Sequence, residues 1–246
     1  MHITLSELDQ LRFGIVTAKA ALDAEDGVAE LLQWCARHTV ELLITRSATA
    51  DLQLAQQLEQ AGAFLADTLV YFRKKDIAEQ PVQLAEGYRT RLATAADADA
   101  VERLAGRTFD GYFGHYHVDP HLAKADADLV YSSWAASSCS KPGVADAVVL
   151  IEHGADIVAF ATLKLVADDE FEGVLFGVDP GHQGKRLYHA LMQLAQNWAR
   201  ARGIAHMLVS TQITNLSVQK VWCRQGFEPS KSYYTFHKWF EASPAP

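Results

Sequence analysis

Between residues 174 and 190 an apolar run, Val174-Leu175-Phe176-Gly177-Val178, breaks at Pro180 and Gly181 and passes through Gln183-Gly184-Lys185-Arg186 into the helical pattern Leu187-Tyr188-His189-Ala190. A strand that empties into a helix N-terminus is suited to holding phosphate. The first N–H groups of a helix have no intrahelical acceptor, and the helix dipole adds partial positive charge there. Lys185 and Arg186 contribute two cationic side chains to the same turn. The ligand expected at this point is therefore phosphorylated.

A second group of reactive side chains lies in residues 109–120, where aromatics, histidines and glycines alternate with no apolar period. Such a stretch reads as a functional loop. A histidine with a pKa near 6.5 suits a general base at neutral pH, which singles out His115 and His117, with Asp110 and Asp119 as carboxylate candidates. Tyr112, Phe113 and Tyr116 have flat faces on which a nucleotide base or a sugar can stack. No His or Cys pair has metal-ligand spacing with a supporting carboxylate, so no metal is expected.

The elements that position these groups follow from hydrophobic period and from turn residues. Residues 1–80 read as an α/β subdomain of βαβαβ type, with strands at 13–17, 40–44 and 64–72 and helices at 26–37 and 51–61, Asp51 serving as a cap. The charged stretch 73–81, ending in Pro81, reads as a linker. A second unit spans residues 86–240. Its strands are expected at 88–92, 147–152, 157–166, 171–178, 205–211 and 233–239, and its helices at 96–106, 123–137, 185–202 and 216–225. The fold class is α/β (α+β), with a mixed, mostly antiparallel sheet in the larger unit.

The chain has 246 residues and a formal net charge of -8, which argues against general affinity for nucleic acid or an anionic membrane. Cys35, Cys139 and Cys223 are far apart and show no CxxC spacing, as expected of free thiols in a reducing compartment. Neither a signal peptide nor an apolar run approaching the roughly 20 residues of a membrane span is visible. A soluble, cytoplasmic protein is the expectation. Trp134, Trp198 and Trp239 are assigned to core or interface positions, which leaves room for a homodimer.

The order strand, phosphate loop, long helix, strand, Asn-led helix, Gly-Phe, strand resembles the GNAT acyltransferase family. Gln183 and Gly184 stand as that family's loop has them, whereas Arg186 and Tyr188 occupy positions where it usually has glycine or alanine. Asn215, Val218, Trp222 and Gly226-Phe227 match the spacing of the family's second signature, with Trp222 in place of the tyrosine that commonly protonates the departing thiolate. The layout further resembles nucleotide-sugar N-acyltransferases of the dTDP-fucosamine acetyltransferase type, clearly over residues 88–240 and more weakly over 1–80. The shared features there are Tyr131-Ser-Ser-Trp134, the Thr211-Gln212 approach to Asn215, and Ser232-Tyr233-Tyr234.

The resemblance implies a GNAT fold and direct transfer of an acetyl or other short acyl group from acyl-CoA to the amine of a nucleotide-linked amino-deoxy sugar. The partners it implies are those two small molecules. By the same resemblance, Phe176, Gly177 and Val178, the loop and helix start from Gln183 to Tyr188 (Leu187 included), Asn215 and Trp222 would meet coenzyme A. Tyr112, Phe113, Tyr116, His117 and Gln212 would meet the acceptor. His115 or Asp119 would accept the amine proton, and Tyr233 or Tyr234 would supply a phenol to the thiolate. An acyltransferase acting on another small amine or a protein N-terminus, and a non-catalytic coenzyme A-binding module, are the alternatives.

Overall fold

The structure is a computed structural model that describes residues 1–22 and 27–240; Asp26, the expected first residue of a helix, lies outside them. In chain order the elements are β1 (His2–Leu5), α1 (Glu7–Phe13), β2 (Thr17–Leu22), α2 (Val28–Arg37), β3 (Leu42–Ala48), α3 (Leu52–Gln60), β4 (Phe64–Lys74), β5 (Tyr88–Leu92) and α4 (Ala98–Thr108). There follow α5 (His115–Val118), α6 (Lys124–Ser140), β6 (Ala147–His153), β7 (Asp156–Ala167), β8 (Glu170–Val178), α7 (Leu187–Arg200), β9 (His206–Gln212), α8 (Leu216–Arg224) and β10 (Glu228–Trp239). All ten strands form one sheet in the order β1-β2-β3-β10-β4-β9-β8-β7-β6-β5. Its pairs are antiparallel except β2–β3 and β8–β9, so the sheet is mixed and mostly antiparallel, as expected.

Side chains of successive strand residues point to opposite faces, and this alternation sorts the core into layers. On β6, Val149 and Ile151 pack with Leu187, Leu191, Ala195 and Trp198 of α7, while Val148 and Leu150 pack with Val101 and Leu104 of α4 and Ala135 of α6. The buried positions of α7 recur at three- and four-residue spacing, which gives that helix one apolar face. Helices α2 and α3 cover Leu43 and Phe236, and α6 covers Leu42 and Ile44 on the other face.

Two features near the N-terminus differ from expectation. The stretch 13–17 is not a strand: α1 runs to Phe13, and Gly14 ends it in the left-handed region (φ 67°), its N–H bonding the Gln10 carbonyl. Glycine adopts that conformation readily, and it breaks an apolar run that otherwise reads as extended. The strand starts at Thr17 instead, and His2–Leu5 adds an unanticipated edge strand beside it. The second difference is topological. Strand β10 lies between β3 and β4 and is antiparallel to both, so residues before 80 and after 86 contribute to one sheet.

The stretch read as a linker is docked. Ile77 is buried in the α7-side core and its N–H bonds the Ala205 carbonyl at 2.8 Å. Gln80 is held at both its backbone groups by Asn197 of α7, each at 2.8 Å.

Gly177 faces Phe160 across the β7–β8 pair, and a Cβ there would lie 2.3 Å from the Phe160 ring. Gly177→Ala should therefore destabilise the fold by about 1–3 kcal/mol through overpacking, read as a lower urea midpoint. An unchanged midpoint would show that the ring can move aside.

Candidate active site

The parallel pairing of β8 with β9 runs only from Glu170↔His206 to Gly173↔Val209. Beyond it β8 continues to Val178 and β9 to Gln212 without pairing, so the two strands part. A bulge sits at the parting point, because Leu163 and Thr162 of β7 oppose Gly173 and Leu175, leaving Val174 as the extra residue. The displaced Leu175 N–H is satisfied by the Thr162 hydroxyl at 3.0 Å. The strands thus leave a slot lined by backbone groups on its β8 side.

At the outer end of the slot, Pro180–His182 makes a short helical turn whose shape is fixed by Asp179, which accepts from the Gly181 N–H at 2.9 Å and from Arg107 at 2.8 Å. From Gly184 to His189 the backbone N–H groups have no acceptor among the described residues. Gly184 (φ +75°) and Arg186 (φ 61°) are both left-handed, which turns these N–H groups toward one region. Gln183, Gly184, Lys185 and Arg186 are exposed there. The arrangement suits an anion.

At its inner end the slot opens into a cavity of about 690 Å³ on the α5/α6 face of the sheet. Its floor crosses the sheet through Lys19 on β2, Arg46 on β3, Asp67 and Tyr71 on β4, Ser210 on β9 and Glu172 on β8. Its roof comes from α1, α5, α6 and Tyr112. Burial pushes the Glu172 carboxyl above the usual carboxylate range, against the pull of a 2.9 Å bond from the Ser210 hydroxyl and of the Arg46 charge. Burial likewise raises Asp67, opposed by a bond from the Thr68 N–H at 2.7 Å. Asp9 is buried and neutralised on several sides, by Lys19 at 2.6 Å, Arg12 at 3.4 Å and the Tyr116 hydroxyl at 3.1 Å. Arg46 differs: no carboxylate pairs with it among the described residues.

Behind α5 runs a chain of three side chains. Asp119 accepts from His237 Nδ1 at 2.6 Å, and His237 Nε2 meets His115 Nδ1 at 2.8 Å. If the buried carboxylate fixes the proton on His237 Nδ1, His237 Nε2 is the acceptor and His115 Nδ1–H the donor. That leaves His115 Nε2 as a lone pair at the cavity wall. Burial holds the His115 pKa well below its usual value, with His237, Arg46 and Lys19 adding to the effect, so the ring is neutral near pH 7. Asp119 is itself held below the usual range: burial works against its charge, yet bonds from His237, Trp239 and the His121 N–H outweigh it.

The expected site residues divide sharply. Phe176, Tyr188, Asn215 and Trp222 line the inner slot, and Tyr112, His115, Tyr116 and Gln212 line the cavity. Leu187 is core, and Val178 and Gly177 end the strand against Ala159 and Phe160. Asn215 caps α8, its side chain accepting from the Val218 N–H and donating to Thr211 at 3.1 Å. Gln212 donates to the Phe113 carbonyl at 2.7 Å and so anchors the aromatic loop. Phe113 is 60% exposed, and Asp110 is exposed too. His117 is spent on the Gly114 N–H and on Asp128 at 3.0 Å, which removes it from the acceptor contacts expected of it.

Neither tyrosine of β10 is placed to serve the slot. Tyr234 packs with Phe236 on the α2/α3 face, because strand alternation sends it away from the cavity. Tyr233 is on the cavity face but stands edge-on to Tyr71 at 5.7 Å, and it is not part of the slot wall. Glu172, Arg46 and His237 were not anticipated. Each stands in a strand that also carries other polar residues, and no local signal in the sequence marks it out. Among the described residues, no group of His, Cys, Asp and Glu is placed to hold a metal, and no helix is long and apolar enough to cross a membrane.

Parted parallel strands, an anion-binding helix start and a capped Asn-led helix define a class of fold as well as a site. The acetyltransferase (GNAT) family model matches residues 99–227, more than half of the chain, and the chain belongs to that family. It is 26% identical over 224 residues to the dTDP-fucosamine acetyltransferase of Escherichia coli, covering 91% of this chain and 89% of that protein. It is also 28% identical over 144 residues to the spore coat polysaccharide biosynthesis protein SpsD of Bacillus subtilis, covering 58% of this chain. The match spans only 48% of that relative's length. Among solved structures, a GCN5-related N-acetyltransferase from Kribbella flavida superposes with a TM-score of 0.61 at 17% identity, over 94% of this chain and 82% of that one.

Asp119 accepts from three donors in a buried setting, so Asp119→Ala leaves all of them unpaired. The expected loss is about 3 kcal/mol of stability at pH 7, measured by urea unfolding. Because the folded Asp119 pKa is depressed, its contribution is complete above the unfolded value of about 3.9 and fades as pH falls through the lower folded value. The variant and the parent should accordingly converge in stability toward strongly acid pH.

Proposed function

We propose that the chain transfers an acetyl or other short acyl group from acyl-CoA to the amine of a nucleotide-linked amino-deoxy sugar. The observation that carries this reading is one continuous cavity with the slot at one end and Lys19, Arg12 and Arg46 at the other, where Arg46 forms no ion pair with a carboxylate among the described residues. A half-buried guanidinium that forms no ion pair is available to an anion, and a diphosphate matches its geometry. The relative of which the chain spans 89% is named for a dTDP-linked amino sugar, and we extend that substrate class to this chain.

In this reading the unpaired N–H groups from Gly184 to His189 hold the coenzyme A pyrophosphate, with Lys185 and Arg186 beside them. Pantetheine runs along the unpaired edge of β8, and a backbone N–H after the Val174 bulge polarises the thioester carbonyl. His115, Glu172 and Asp67 line the cavity and can accept the amine proton, and of the three Glu172 lies on β8, the strand that walls the slot. His115 is a weakened base, because charging it beside Arg46 and Lys19 without water is unfavourable. Glu172 is a strengthened base for the converse reason. Glu172 therefore takes the proton, and neutral His115, oriented by His237 and Asp119, accepts a hydrogen bond from the acceptor sugar. In this reading attack is direct, the amine being the nucleophile and the Ser210 hydroxyl serving as a hydrogen-bond donor to Glu172.

Thiol release should be measured with acetyl-CoA and a panel of nucleotide-linked amino sugars, polyamines and peptide N-termini. Turnover confined to polyamines or peptides would sink the proposed acceptor class. Arg46→Ala should raise KM for the nucleotide sugar about 10-fold or more while KM for acetyl-CoA stays within about two-fold. Glu172→Gln should lower kcat by roughly 100-fold or more. In the parent, kcat/KM for the amine should rise as pH climbs through the elevated Glu172 value, since the ionised carboxylate is the active form, and the glutamine variant should lose that limb.

A further inference from the structure

Loss of a thiolate calls for a hydrogen-bond donor at the sulfur, and the slot offers few. Tyr116 donates to Asp9 at 3.1 Å, and Tyr112 lies on the cavity roof, edge-on to Tyr131 at 4.8 Å. Tyr71 lies on the cavity floor, edge-on to Tyr233 and away from the slot wall. Tyr188 stands apart. Its oxygen accepts the Trp222 indole N–H at 2.9 Å, while its own O–H has no acceptor among the described residues. Its ring lies 5.6 Å from that of Phe176, on the strand edge that forms one wall of the slot.

Both partners of this bond are locked. Trp222 is 3% exposed and packs against Phe72 at 5.5 Å. Tyr188 sits in the first turn of α7, one residue after Leu187, which is itself buried in the core. The indole has one N–H, and it is used on Tyr188, so it cannot itself reach a sulfur. What it does is occupy one acceptor position of the phenol, which leaves the Tyr188 O–H free to donate elsewhere.

We propose that Tyr188, held in position by Trp222, is the catalytic donor to the sulfur of the departing coenzyme A thiolate, so that the phenol serving the leaving group comes from α7 and not from α8 or β10. This rests on the acyltransferase reading above. The amine nitrogen adds to the thioester carbonyl carbon and gives its proton to Glu172. The tetrahedral adduct then collapses and the C–S bond breaks. Sulfur keeps the bond's electron pair and leaves as a thiolate that accepts a hydrogen bond from Tyr188 Oη. It takes a proton from water on release, and Glu172 returns its proton to water. Burial keeps the Tyr188 phenol protonated across the working pH range, which suits a donor that is not consumed. Trp222 is a positioning residue in this scheme, since it acts only through Tyr188.

The test compares Tyr188→Phe, Trp222→Phe and the double variant in steady-state thiol release, with coenzyme A affinity and melting temperature measured alongside. Tyr188→Phe keeps the ring contact with Phe176 and removes the donor. It should lower kcat by about 10- to 100-fold with both KM values and the coenzyme A Kd within about three-fold. Trp222→Phe should give a smaller kcat loss, and the double variant should be no slower than Tyr188→Phe alone, as expected when one residue acts through the other. A Tyr188→Phe enzyme with the parent's kcat would overturn the inference and leave the acyltransferase reading intact. A loss seen mainly as weaker coenzyme A binding would also overturn it, in favour of simple packing. Should Tyr188→Phe fail to fold, Trp222→Phe decides alone: an unchanged kcat in a folded protein overturns the inference. Parent protein without turnover on any amine would remove both the reading and the inference.

Discussion

The constraint on which the site depends is the parting of two parallel strands. A parallel pair is held by evenly spaced hydrogen bonds, and here they stop after Gly173↔Val209 although both strands continue. Unpaired strand edges inside a protein are unfavourable unless water or a ligand satisfies them. The bulge at Val174 makes the parting possible, and the Thr162 hydroxyl satisfies the one N–H that the bulge displaces. The remaining polar groups face the slot. The same strand then ends in the Asp179 turn and the start of α7, so one segment supplies a wall of the slot and a helix start with unpaired N–H groups in a fixed relation.

The charges on the cavity floor form a gradient and not a mixture. Near the slot the carboxyls of Glu172 and Asp67 are raised by burial, which weakens their hold on the charged form. Across the sheet, Lys19 and Arg12 pair with Asp9, while Arg46 acts on Asp67 and Glu172 through its charge alone. An acceptor with an anionic tail and an amine head is oriented by such a gradient before any specific contact forms. It also explains why His115, between the two ends, is kept neutral. The cations beside it oppose a further positive charge, while the Asp119–His237 chain fixes its tautomer.

Local features of this site were legible in the sequence because their causes are local. The Asn-led start of α8 and the glycine-containing turn before α7 each follow from residues within a few positions of one another. Asp119 and His115 were legible as reactive side chains, but not as parts of a chain, because His237 joins them from 118 residues away. That link exists only because β10 inserts between β3 and β4 and presents Thr235 and His237 on the cavity face. Insertion of a C-terminal strand into an N-terminal segment is a matter of register and burial over the whole sheet, and no short-range pattern encodes it. The same alternation placed Tyr234 on the wrong face for the role expected of it.

The irregularities that first set this loop apart prove to be linked. Arg186 takes a left-handed backbone that glycine would adopt with less strain, roughly 1 kcal/mol for a residue with a Cβ. Tyr188, two residues on, fills space that a glycine or alanine would leave open beside the slot. Filling it brings a phenol within reach of α8, where Trp222 stands with a single N–H and no other acceptor. A tyrosine at position 222 would bring a second hydroxyl into the space where Trp222 now meets Tyr188, and a glycine at 188 would leave the indole N–H buried without a partner, at about 1–3 kcal/mol. Each departure is thus stabilised by the other. The pair places one phenol ring, carried by α7, at the wall of the slot.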